Sequence, residues 1–148
     1  MNLLRFLSKK KNLNRTKYLC HYHHSILMKH QQLIDTIMEN NKNIRFTAIC
    51  NMVGDVEVTS NTDDVERYLT TEETKESLET AAKAWIHARK TISKKVGKGL
   101  YTLTAYERLK RVTVSLDDGF LLLATMNNTE AQDQTIDGIL KLVHEDHA

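Results

Sequence analysis

The chain has 148 residues, 27% of them charged and 41% hydrophobic, with a net charge of +2. That length suits one domain with one core, and the charge is too small to imply a nucleic-acid or membrane partner by itself. Cys20 and Cys50 are too few for a disulfide framework, so a reducing cytoplasm is the expected compartment; no apolar run approaches the roughly 20 residues of a membrane span.

Residues 1–17 contain Arg5, Lys9, Lys10, Lys11, Arg15 and Lys17 without any Asp or Glu, a local +6 that leaves −4 for the rest. Their apolar positions show no sustained period. Residues 1–24 therefore read as a basic arm, poorly ordered or a short helix, and 25–148 as the domain. Leu3, Leu4, Phe6 and Leu7 ahead of three lysines suit at most a weak membrane-surface contact. No aromatic residues interleave with the bases as a stacking platform, so a nucleic-acid partner is not expected.

From 25 to 40, Ile26, Leu27, Leu33, Ile34, Ile37 and Met38 recur at helical spacing, and the Asn-rich run 40–43 ends the helix. Residues 44–52 and 56–60 are rich in β-formers and read as a hairpin turned at Val53-Gly54-Asp55. A polar connection with Asp63, Asp64 and Glu66 leads into the longest pattern of the chain. There Thr70 and Glu73 form a reciprocal capping pair. Leu78, Ala81, Ala82, Trp85, Ile86, Arg89, Ile92 and Val96 then mark one stripe, which predicts a continuous helix over 71–96 ended by Gly97 or Gly99. Strands follow at 100–106, 111–116 and 120–126. Asp117-Asp118-Gly119 is a strong hairpin turn because glycine supplies positive φ. The run Phe120-Leu121-Leu122-Leu123-Ala124 is apolar on both faces and should be a central strand. Thr129 and Gln132 form a second capping pair for a last helix with Ile136, Ile139, Leu140 and Val143 inward. Gly138 within it costs about 1 kcal/mol against alanine, which suggests close helix–sheet approach.

The order α-β-β-α-β-β-β-α, with a helix crossing between a two-strand and a three-strand meander, resembles the roadblock (dynein light-chain) fold. Ile44-Arg45-Phe46 before Gly54, Lys94-Lys95-Val96-Gly97-Lys98-Gly99, Arg111-Val112-Thr113-Val114, Leu116-Asp117-Asp118-Gly119 and Ile136-Asp137-Gly138-Ile139-Leu140 also resemble an archaeal family of such domains. The resemblance implies an α+β fold with a five-stranded antiparallel sheet in order 2-1-5-4-3, the central helix on one face and the terminal helices on the other. It also implies dimerisation and regulation or scaffolding of small GTPases. Physics supports the dimer separately, since 100–106 would be an edge strand with neither charge nor proline, a liability that pairing with a second copy removes. The expected interface is Trp85, Ile86, Arg89 and Ile92 with Leu100, Tyr101, Thr102, Leu103 and Thr104.

Candidate chemistry is sparse. Cys20-His21-Tyr22-His23-His24 carries zinc-ligand types, but adjacent ligands cannot all converge on one tetrahedral ion, and solvated surface histidines are the ordinary account. His30, His87, His144 and His147 stand apart in sequence. Residues 94–99 lack phosphate-loop spacing and follow a helix, so they read as a C-cap. Asp117 and Asp118 belong to an exposed hairpin tip, and Cys50 to a buried strand without a histidine near it. No catalytic, cofactor or metal residues are assigned. The reading is a cytoplasmic, non-enzymatic homodimeric module that binds a protein, a small GTPase among the candidates, with a sensory or small-ligand module of profilin-like shape as the alternative.

Overall fold

A computed structural model describes the backbone of residues 2–62, 68–128 and 132–146 and the side chains from His21 to Glu145 within those spans. Among these described residues four helices and five strands follow one another as α1 (Asn2–Asn40), β1 (Ile44–Asn51), β2 (Val56–Asn61), α2 (Thr71–Lys90), α3 (Ser93–Val96), β3 (Thr102–Ala105), β4 (Leu109–Ser115), β5 (Phe120–Asn127) and α4 (Gln132–Asp146). The strands form one antiparallel sheet in the order β2-β1-β5-β4-β3, as the roadblock resemblance implies. β5 is central and two-sided. Leu122, Ala124 and Met126 enter the core under α1 and α4, while Leu121 and Leu123 enter the one under α2.

The first face is the larger core. Leu33, Ile34 and Ile37 of α1 and Ile136, Ile139 and Val143 of α4 close over Ile44, Ile49, Val112 and Val114. Leu78, Ala82 and Trp85 of α2 cover only Ala48, Cys50, Leu121 and Leu123 on the other face. The predicted capping box is present: Thr70 Oγ1 accepts from the Glu73 N–H (3.1 Å) and the Glu73 carboxylate from the Thr70 N–H (2.8 Å). The partner pair at Thr129, and Asp63, Asp64 and Glu66, lie outside the described residues.

Three expectations about local structure change. The first helix runs on N-terminally to Asn2 instead of beginning near Ser25, with Leu27 the first of its described side chains packed on the core. The helix over 71–96 is broken after Lys90 into α2 and the single turn α3. Two β-branched residues sit at the break, and the Thr91 hydroxyl donates to the His87 carbonyl at 2.9 Å, a bond that competes with the helical ladder. Ile92 and Val96 consequently leave the stripe and are exposed. Gly97, at φ +96°, does end α3. Gly138 approaches Asn41, the residue just after α1, and not the sheet, since a Cβ there would lie 3.5 Å from Asn41 Oδ1, an ordinary contact.

Candidate functional site

The α2 face of β4 carries Arg111, Thr113 and Ser115 at the two-residue period of a strand, and each is tied to α2. The Arg111 guanidinium donates to the Ser77 hydroxyl and, at 3.2 Å, to the Ser77 carbonyl. Trp85 Nε1–H donates to Thr113 Oγ1 at 3.0 Å, and Arg89 Nη2–H to Ser115 Oγ at 2.5 Å. Burial pushes the Arg111 guanidinium below its usual range. α2 is thus held to this half of the sheet by polar side chains, whereas apolar packing holds it over β1 and β5.

The consequence is an open groove of about 1280 Å³ between α2 and β3. Ala81, Ala84 and Ala88 form its α2 wall, and Thr102 and Thr104 stand on the β3 side above Arg111 and Thr113. Its rim holds Tyr68, Leu69, Ile92, Val96, Tyr101 and Tyr106, all exposed. Arg45 lies over the Tyr68 ring, 5.1 Å from its centroid, and donates to Asn127 Oδ1 at 2.9 Å. β3 is the last strand of the sheet, so its outer backbone edge has no strand beside it among the described residues.

The residues expected at a dimer interface are therefore distributed unevenly. Ile92, Tyr101, Thr102 and Thr104 line the groove and Leu100 is exposed beside it. Trp85 is buried against its own sheet, Ile86 is half-buried, and Arg89 turns to Ser115. Leu103 pairs with Val112 and packs toward the α1–α4 core.

On that opposite face His30, which stands apart from other candidate ligands in sequence, is buried. Its Nε2 lies 2.7 Å from Asp118 Oδ2 and its Nδ1 3.7 Å from Glu57 Oε2, with the Phe120 ring edge-on at 4.5 Å. Asp118 is accordingly engaged with α1 and is not a free hairpin tip; Asp117 pairs with Lys98. The signal for His30 was its helical phase, three and four residues from Leu27, Leu33 and Ile34. Cys50 is buried as expected, and burial raises its thiol to about 11. Among the described residues no three His, Cys, Asp or Glu side chains are grouped to hold a metal ion, and no helix is long and apolar enough to cross a membrane.

No protein-family model matches the chain, and no curated protein matches it by sequence. Solved structures do match by fold. The Roadblock/LC7 domain from Streptomyces avermitilis superposes with a TM-score of 0.61 at 9% identity, over 79% of this chain and 93% of that one. The gliding protein MglB from Thermus thermophilus gives 0.57 at 9% identity, over 80% and 90%. Myxococcus xanthus MglB gives 0.59 at 8% identity, over 79% and 89%. With the 2-1-5-4-3 sheet and its helices, these superpositions show that the chain has the roadblock fold.

Proposed function

We propose that the chain is a cytoplasmic, non-enzymatic interaction module that dimerises through β3 and the groove beside α2, and that the dimer regulates or scaffolds a small GTPase. One observation carries the dimer: an uncharged edge strand, Thr102–Ala105, stands directly beside an open groove with an apolar rim. Exposed edges of that kind invite pairing, and clustered exposed apolar side chains mark interaction surfaces. Ala81, Ala84 and Ala88 keep the α2 wall low, so a second helix can approach closely. The groove also exceeds the roughly 300–1,000 Å³ of ordinary small-molecule pockets, which favours a polypeptide occupant over the sensory, small-ligand alternative. The GTPase follows from the resemblance alone.

Sedimentation of the intact chain at micromolar concentration tests the dimer. Thr102→Lys combined with Thr104→Lys should shift the species toward monomer, because both residues face outward and neither serves the core. A monomer in the unaltered protein would defeat the proposal. For the second half, a small GTPase from the same genome should change its hydrolysis rate when the chain is added. GTP turnover by the chain alone would refute the non-enzymatic reading.

A further inference from the structure

Residues 80–106 contain Lys83, Arg89, Lys90, Lys94, Lys95 and Lys98 and no Asp or Glu. Three of these cations surround a small pocket of about 290 Å³ at the C-terminal end of α2, lined by Trp85, Arg89, Ser93, Lys94, Lys98, Gly99 and Ser115. The break after Lys90 makes this pocket, because it lets the chain double back past Trp85. Gly99 then passes so close to the indole that a Cβ would come within 2.9 Å of it.

The lining has the chemistry of an oxyanion site. Arg89 is held in place by its bond to Ser115 Oγ, which spends one of five guanidinium N–H donors. Ser115 is itself buried at 7% exposure, and because its oxygen accepts from Arg89 its hydroxyl proton is available to a further acceptor. Ser93 supplies a second hydroxyl and Lys94 a second charge. Among the described residues neither Arg89 nor Lys94 is ion-paired, and Lys98 alone is shared with a carboxylate, Asp117. The carbonyl end of α2 brings about half a negative charge, too little to cancel two unpaired cations.

We infer that this pocket binds a phosphoryl-type oxyanion carried by a small soluble molecule. Guanidinium, ammonium and two hydroxyls can serve the several terminal oxygens of such a group at once. The remaining volume beside the Trp85 ring admits a body of a few atoms, and the pocket falls just below the roughly 300–1,000 Å³ of sites for drug-sized ligands. Trp85, Ser93, Lys98 and Gly99 also line the groove, but the anion's partners all come from one chain, so binding does not require the dimer.

Trp85 is the only tryptophan, so its fluorescence reports on the pocket directly. Inorganic phosphate and glycerol 3-phosphate are titrated into the full chain at fixed protein concentration, with sodium chloride at matched ionic strength as the control. The expected result is a saturable change with the phosphates and none with chloride. Lys94→Gln, which removes no bond that the fold uses, should raise the midpoint about tenfold, equivalent to about 1.4 kcal/mol. Arg89→Gln should do at least as much, and Lys83→Gln, outside the pocket, should leave it unchanged. Equal responses to chloride and phosphate, or a midpoint indifferent to Lys94→Gln, would overturn the inference. Binding to vesicles of phosphatidic acid without any response to the free phosphates would overturn it as well, by assigning the cations to a lipid surface.

Discussion

Between the sheet and helices α1 and α4, fifteen apolar residues among those described are buried together; between the sheet and α2, seven are. On the first face Val112 and Val114 of β4 join the core, while one residue along the same strand Arg111, Thr113 and Ser115 reach α2 by hydrogen bonds. A strand with one dry face and one polar face closes a core on one side and leaves room on the other. The room is the groove and its adjoining pocket, so both surfaces proposed for function belong to the less packed half. On the proposed reading, stability and recognition fall on different sides of one sheet.

The comparison breaks most visibly by cutting each side. Ile34→Ala or Ile139→Ala, in the larger core, should cost about 2–5 kcal/mol in urea unfolding. Ala84→Ser, on the groove wall, should change stability by no more than about 0.5 kcal/mol. Comparable losses from both would mean that the faces are not distinct.

Most of the fold was legible because it rests on periodicity. The two-faced apolar run of β5, the capping box at Thr70 and the Asp117–Gly119 turn are local patterns that the folded chain keeps. The break after Lys90 was not legible, because Ile92 and Val96 continue the helical spacing after the backbone has turned away. Nor were the ties from β4 to α2, since nothing in the spacing of Ser77, Trp85 and Arg89 shows that alternate residues of a strand 26–34 positions later will meet them. His30 was hidden because its partners, Glu57 and Asp118, come from separate elements. Hydrophobic pattern announces which surface is buried, but not which polar groups will be buried with it.

Two further changes sharpen the contrast at smaller scale. Cys50 lies under α2, and its thiol is raised from 9.0 to about 11 by burial. A raised folded value means that the folded chain holds this proton after the unfolded chain has released it. The resulting stability is intact below about pH 9 and is lost as the pH climbs toward 11. The loss is on the order of 3 kcal/mol at 1.36 kcal/mol per unit. Unfolding of Cys50→Ala should be less steeply pH-dependent in that window, and identical slopes would place the thiol in contact with water. Trp85→Phe keeps most of the apolar contact and removes the bond to Thr113 Oγ1, so it should cost about 1–3 kcal/mol, with a thermal midpoint lowered accordingly. Thr70→Ala, at the exposed start of α2, should cost about 1 kcal/mol. Removal of residues 1–24 should leave the melting transition cooperative and its midpoint nearly unchanged. A broad, non-cooperative transition would make that segment part of the core.

The tip of the β4–β5 hairpin joins what the two faces keep apart. Asp118 is fastened to His30 on α1, and its neighbour Asp117 to Lys98 at the edge of the pocket. A single peptide bond therefore spans the two helical layers, with an anchor on each side. The two anchors are unequal, since His30 is buried whereas Lys98 and Asp117 are both largely exposed, so the turn is pinned to α1 and only tethered beside the pocket.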